Sequence, residues 1–341
     1  MKLAEKELAF RQLATMLHGG LPLVSALETC AEQSVGAAGA RLWRQIAGRI
    51  AAGGMLSEAL AASRRFDRYI VALAEVGEST GELEQALRNA AEYIGRKREH
   101  RAMVVNAMFY PVLVVLATTA VVWFMMVMVI PAIKEFIEAQ RRTLPVTTQL
   151  LIDMSDWTME NGPVIAITLA AAAAALWLVR RNNEVREATD AMIFRLPVVG
   201  GIARLSSTAV LSRALSILLE SGVTLLAALE TVEGLFGNRR VRHIIADARN
   251  NVIRGGTFSM SVRQRREFAP MLSRMASVAE ATGTLGETLA DVAGFHEARL
   301  KATIRRLGMV MEPLLIVIVG TIVGFVYISF FLAIFSLAGG R

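Results

Sequence analysis

The chain repeats itself in a single register, and that repeat constrains the fold more than any other feature. Gly20-Leu-Pro-Leu-Val-Ser-Ala-Leu-Glu-Thr29 returns as Gly222-Val-Thr-Leu-Leu-Ala-Ala-Leu-Glu-Thr231, an offset of 202 residues. The same offset pairs Arg11 with Arg213, Gly53-Gly54 with Gly255-Gly256, Phe66 with Phe268, and Glu78-Ser-Thr-Gly81 with Glu280-Ala-Thr-Gly283. It also pairs Pro111 with Pro313, so no gap is needed along the unit. Within the unit, apolar residues recur at helical spacing: Leu13, Met16 and Leu17, then, after a glycine turn, Leu23, Ala26 and Leu27. The second copy gives Leu215, Leu218 and Leu219, then Leu225, Ala228 and Leu229. Strand-like alternation is scarce, so each copy is expected to be an antiparallel helical bundle.

Each copy runs into a long stretch without charge. Residues 102–133 carry none, residues 161–179 carry none, and residues 313–340 carry none. A helix of about 20 apolar residues crosses a bilayer core, so three spans are expected, and they account for a hydrophobic fraction of 54%. Arg96, Lys97, Arg98 and Arg101 precede the first run. Arg180, Arg181 and Arg186 follow the second, and Arg299, Lys301, Arg305 and Arg306 precede the third. The connection between the first two has only Lys134, Arg141 and Arg142 against five acids. Basic residues are retained on the cytoplasmic side, so all three clusters are expected there.

The expected organisation is a cytoplasmic bundle at 1–106, a span at 107–133, a periplasmic loop at 134–160 and a span at 161–179. A second cytoplasmic bundle follows at 180–308, then a span at 309–337 and a periplasmic C-terminus at 338–341. The middle span has no counterpart in the repeat; it returns the chain so that both copies face the same side. Trp157 and Trp177 suit interfacial anchors, and Trp123 a deeper position. The N-terminus is charged and amphipathic, with no apolar core or cleavage site of a signal peptide.

Charge and composition argue against several other functions. The basic excess lies mostly in residues 180–308, with 19 Lys/Arg against 12 Asp/Glu. No aromatics interleave those cations and no DNA-binding motif is present, so anionic lipid headgroups explain the bias better than nucleic acid. There is no Gly-Lys pair and hence no phosphate-binding P-loop; energy must come from a partner. Gly77-Glu-Ser-Thr-Gly81 matches G-x-S-x-G, but a nucleophile elbow needs a preceding strand, and the second copy has Ala281 in place of the serine. A helix-ending turn is the better reading, with Glu78 and Glu280 bonding nearby helix N–H groups or meeting a partner. His18, His100, His243 and His296 have no metal-site spacing, and the single Cys30 suits a small buried apolar residue. No catalytic residue, metal or cofactor is expected.

With the paired G-x-x-L-x-x-A-L-E-T segments, the paired E-x-T-G-x-L turns and the proline-initiated spans in view, the chain resembles the type II secretion system F-type inner-membrane proteins, which include the platform proteins of type IV pili. The resemblance covers almost the whole chain. Because the chain starts close to the first repeat, it looks most like the short type IVb members. The resemblance implies an all-α membrane protein with two homologous cytoplasmic bundles of about six helices each and three transmembrane helices. It implies no enzyme, but a platform that couples a cytoplasmic hexameric ATPase to pilin extraction and filament assembly. The implied partners are that ATPase, pilin or pseudopilin transmembrane helices, other inner-membrane assembly proteins and the bilayer, with homo-oligomerisation. A type II secretion pseudopilus platform is the alternative within the family. An oligomeric transporter is the alternative outside it, although nearly charge-free spans disfavour a polar path. A sensor scaffold would call for a larger outside domain.

Three membrane features carry specific expectations. Glu312, whose counterpart is Tyr110, is either a solvated cap or a dock for the charged N-terminus of a pilin-like helix. Gly320-Thr-Ile-Val-Gly324 permits close helix approach, either among the spans or between copies. Pro111 and Pro313 are expected to tilt or kink the helices where bundle meets membrane.

Overall fold

A computed structural model describes residues 2–131, 146–179 and 189–338. Among the described residues there are helices and turns and no strand. The first copy contains α1 (Leu3–His18), α2 (Leu23–Glu32), α3 (Ala37–Ala51), α4 (Leu56–Ser63), α5 (Arg68–Thr80) and α6 (Leu83–Phe124), followed by a π-helical turn at Met125–Val129. Then come α7 (Val146–Val179), α8 (Val199–Glu220), α9 (Leu225–Glu233), α10 (Arg239–Ile253), α11 (Phe258–Val262), α12 (Pro270–Thr282) and α13 (Leu285–Ala338). The chain divides into two units. One comprises residues 1–103 with 186–303, and the other residues 104–185 with 304–341.

The offset read from sequence carries through to the backbone. Adding 202 to the bounds of α3 and α5 gives those of α10 and α12. Three glycine turns recur with left-handed backbones: Gly20 and Gly222 at φ 81° and 83°, Gly53 and Gly255 at 90° and 81°, Gly81 and Gly283 at 78° and 75°. Side chains rarely tolerate that region, and glycine enters it freely, so these turns end their helices at the same place in each copy. Helix starts are handled differently. Thr224, Asn238 and Thr257 cap α9, α10 and α11 with their side chains, whereas Pro22, Gly36 and Met55 at the equivalent positions make no side-chain cap.

The buried faces of the two bundles form one contiguous apolar cluster. Leu13, Leu27 and Leu87 share repeat positions with Leu215, Leu229 and Leu289, and all six are buried. Each such side chain contributes about 1.5–3 kcal/mol on burial. The copies diverge around an aromatic triad. Phe10, Trp43 and Phe66 pack with centroids 5.5–5.8 Å apart in the first bundle, where the second has Ser212, Ile245 and Phe268. Phe258 in place of Leu56 restores part of that volume.

Among the described residues, three helices are long and apolar enough to cross a membrane: Leu83–Val129, Val199–Glu220 and Leu285–Ser329. The middle one is α8, whose apolar window is 50% buried inside the protein, against 6% and 11% for the other two. Its C-terminal end matches that of α1 at the offset, so it is the first helix of the second bundle. The uncharged run 161–179 lies instead in α7. Three sequence expectations meet the structure here. Helix α7 begins at Val146, so the stretch expected as loop up to 160 is helical from that residue, while residues 132–145 lie outside the described residues. Charge alone suggests a loop there, but Val146–Glu160 contains no glycine or proline to stop a helix. Boundaries at 106/107 and 308/309 fall inside α6 and α13, because no breaker separates bundle from apolar run; both helices run through their prolines, Pro111 and Pro313. Arg180, Arg181, Arg186, Lys134, Arg141, Arg142 and the segment 339–341 lie outside the described residues.

In the second unit, Met126, Ile130, Ile152 and Val326 form a small buried cluster. The π-helical turn beside it displaces the normal carbonyl pairing. The Ser155 hydroxyl of α7 donates to the Met126 carbonyl, which satisfies a backbone group that apolar surroundings would otherwise penalise.

Candidate functional site: the seam between the bundles

The two glutamates singled out by the repeat do the same local work in both copies. Glu78, in the last turns of α5, accepts hydrogen bonds from the backbone N–H groups of Leu56 and Ser57 (3.2 Å for the latter) and from the Ser57 hydroxyl at 2.6 Å. Glu280 accepts from Phe258 N–H at 2.6 Å and Ser259 N–H at 3.2 Å. The first N–H groups of a helix have no partner within it, and a carboxylate there is favoured by the helix dipole as well. Each glutamate therefore caps a helix from a neighbouring one and ties the two together. The G-x-S-x-G match lies on this same helix. Gly77, Glu78, Ser79 and Thr80 all belong to α5, and the Ser79 hydroxyl donates to Val76 O at 2.9 Å. Gly77 has a packing reason: a Cβ there would lie 2.5 Å from Ala86 Cβ and 3.0 Å from Leu83 Cα, so its absence lets α5 and α6 approach closely.

The strongest polar constellation sits where the bundles meet. Glu297 of α13 accepts from Arg213 of α8 through Nε and Nη2, both at 3.1 Å. It also accepts from Arg96 Nη1 of the other bundle at 3.1 and 2.9 Å. The Glu297 side chain is only 16% exposed. A forked guanidinium matches both oxygens of a carboxylate, so one acid clasps an arginine from each copy. Around it, Lys301 meets Glu99 at 2.6 Å and Arg68 meets Glu230 at 3.3 Å, both across the seam. Lys97 and the Tyr93 hydroxyl converge on Asp67 at 2.8 and 3.1 Å. Burial raises the Asp67 pKa, but its bonds to Lys97 and Tyr93 outweigh that and hold it below the usual value. Beside the clasp lies a cavity of about 160 Å³ lined by Tyr69, Tyr93, Arg96, Arg213 and Glu297 among others. The Tyr69 hydroxyl is buried and has no hydrogen-bond partner among the described residues.

The clasp is built from an exchange between the copies. Arg11 and Arg213 share a repeat position. Arg11 pairs at 3.2 Å with Glu7, one turn away on its own helix. The second copy has Ala209 where Glu7 would be, and Glu297 where the first copy has Gly95. Gly95 lies close against the Glu7 carboxylate: a Cβ there would sit 3.1 Å from Glu7 Oε1. Each copy thus supplies one carboxylate and one small residue, from opposite helices. Glu7 also takes Arg98 of its own bundle at 2.7 Å, whereas in the second copy the carboxylate sits where it takes Arg96 of the other bundle. Sequence reasoning does not single out Glu297; the signal that marks it is the paired exchange, Glu7 for Ala209 and Gly95 for Glu297, at the constant offset.

The membrane positions are more open. Glu312 and Pro313 are exposed. Among the described residues, a Cβ at Gly320 or Gly324 would meet nothing within 4 Å. Cys30 is buried, its Sγ 3.7 Å from Ala9 O, and burial pushes its thiol pKa up to about 11.

Comparison with known proteins agrees with the duplication. The profile of the family described as "Type II secretion system (T2SS), protein F" matches twice, at residues 9–131 and 211–333, which are 202 apart at both ends. A type IV pilus assembly protein PilC from Thermus thermophilus is 32% identical over 338 residues, covering 98% of this chain and 83% of the relative. TapC, a type IV pilus assembly protein from Aeromonas hydrophila, is 31% identical, covering 96% of this chain and 80% of the relative. A type II secretion system protein F from Pseudomonas aeruginosa is 28% identical, covering 98% and 84%. Two profile matches that together take in most of the chain, one per bundle and span, establish that the chain belongs to the type II secretion system protein F family.

Proposed function

We propose that this chain is an inner-membrane platform for type IV pilus biogenesis. The observation that carries the reading is family membership over nearly the full length, with relatives named for type IV pilus assembly at 31–32% identity. In this reading residues 107–133, 161–179 and 309–337 are the spans, the N-terminus is cytoplasmic and the C-terminus periplasmic, which the distribution of basic residues supports. The two bundles, clasped through Glu297, act as one cytoplasmic body that engages an assembly ATPase. Helices α6 and α13 each belong to a bundle and a span, so ATP-driven motion reaches the bilayer through them and helps move pilins into the filament base. Glu312, at the start of the third span, faces the charged N-terminus of an arriving pilin. The open Gly320/Gly324 face suits contact between copies.

A second reading, the pseudopilus platform of a type II secretion system, is supported by the 28% identical relative that bears that name. Deleting the gene, complementing with the intact chain, and scoring surface filaments and secreted protein tests both. Loss of filaments with normal secretion is the expected result. Loss of secretion alone moves the function to the pseudopilus, and no change in either overturns the platform reading.

A further inference from the structure

One element of the second bundle departs from its counterpart. Helices α4 and α11 begin in register at Leu56 and Phe258, but α4 continues to Ser63 while α11 stops at Val262. Where the first bundle extends its helix through Ala61, Ala62 and Ser63, the second has Arg263, Gln264 and Arg265. Gln264 takes a left-handed backbone at φ 59°, a region that residues with a side chain seldom enter. The turn opens a groove of about 630 Å³ against α12, lined by Arg263, Arg265, Arg274 and Ser277, with Met260 and Val278 on its surface.

The groove has a charge of one sign and apolar lips. No acid lines it. Arg265 lies 3.6 Å from Asp247, while Arg263 and Arg274 are exposed and make no ion pair among the described residues. Met260 and Val278 are 67% and 62% exposed. At the same repeat positions the first bundle has Glu58 for Met260, Ala72 for Arg274 and Glu75 for Ser277. A shared fold thus presents two carboxylates in one copy and three guanidinium groups in the other, and the local helix is shortened only where the arginines are.

We propose that the groove between α11 and α12 docks an acidic segment of a partner protein, with its carboxylates on Arg263, Arg265 and Arg274 and an apolar side chain against Met260 and Val278. Arginine forks suit carboxylates bidentately, and methionine surfaces adapt to varied apolar side chains. The apolar lips favour a peptide over a bare anion or a lipid headgroup. The proposal deepens the platform reading by giving the bundles a contact surface, and it is tested apart from that reading.

The test uses the full chain in neutral detergent and a synthetic twelve-residue peptide of alternating glutamates and leucines, followed by fluorescence anisotropy. Binding that weakens as salt rises is expected. The triple variant Arg263→Ala/Arg265→Ser/Arg274→Ala, which installs the first bundle's residues, is expected to bind about tenfold more weakly or worse, while Arg44→Ala/Arg49→Ala on α3 stays within about twofold. If the triple variant loses its helical circular dichroism, Arg263→Ala/Arg274→Ala, which changes only exposed side chains, gives the same reading. Undiminished binding by these variants, equal binding of a peptide with glutamine for glutamate, or an equal loss in the α3 control overturns the proposal. So does binding to phosphatidylglycerol vesicles in place of the peptide. A peptide that fails to bind leaves the platform reading standing, because that reading is decided by filaments in the deletion strain.

Discussion

Glu297 reaches Arg213 from a different helix, α13, whereas Glu7 reaches the equivalent Arg11 from the same helix, α1. The duplicated arginine is satisfied in both copies, and each carboxylate takes a second arginine, but Glu7 takes Arg98 of its own bundle whereas Glu297 takes Arg96 of the other. From that difference comes the main polar link between bundles that are otherwise near copies.

Glu297→Ala leaves two half-buried guanidinium groups facing each other. Removing one member of a buried ion pair costs about 3–5 kcal/mol; with partial exposure we expect about 3 kcal/mol, seen as a fall of roughly 5–10 °C in the thermal midpoint of the detergent-solubilised chain. Arg96→Ala costs less, because Arg213 still holds the acid. The pair Ala209→Glu/Glu297→Gly rebuilds the first copy's arrangement and is expected to recover part of the loss, on the order of 1 kcal/mol, without restoring the Arg96 bridge. No recovery would refute the exchange between copies.

Glu78→Ala and Glu280→Ala each remove a helix cap and are expected to cost about 1–2 kcal/mol. Glu78 is the more sensitive, since it accepts from three donors and Glu280 from two. Chemical denaturation of the two variants side by side checks the order.

Gly77→Ala forces a methyl into the α5–α6 contact and is expected to destabilise by about 1–3 kcal/mol. Gly320→Ala meets open space, so it leaves stability within about 0.5 kcal/mol. The same denaturation series distinguishes them.

Cys30 provides a pH-dependent signal. Its folded pKa is raised by burial from 9.0 to about 11. As pH rises above 9 the unfolded thiol loses its proton first, so the stability this group contributes is present below that value and is lost as pH climbs towards 11. Cys30→Ala should flatten this part of the alkaline stability curve. The native chain should also react slowly with maleimide at neutral pH, leaving a nearly silent background for single-cysteine mapping of the spans.

Much of this architecture is visible in the sequence because duplication makes every turn glycine appear twice, and because charge-free runs long enough to span a bilayer are rare by chance. Helix continuity through Pro111 and Pro313 was less legible, since proline is usually a breaker. The clasp was hidden for another reason. Arg96 and Glu297 are 201 residues apart, and nothing local marks a glutamate as the partner of an arginine in the other bundle. The shortened α11 was equally silent, because Arg263-Gln264-Arg265 carries no proline or glycine and leaves the helix only through tertiary context.

The account rests on the two bundles working as one clasped body. Counting surface filaments on cells whose only copy carries Glu297→Ala, at membrane levels matched to the unaltered protein, addresses this most directly. The account predicts loss of most filaments, and no return in the Ala209→Glu/Glu297→Gly variant, which recovers stability without the bridge to Arg96. Undiminished filaments on cells in which cross-linking shows the bundles separated would contradict it.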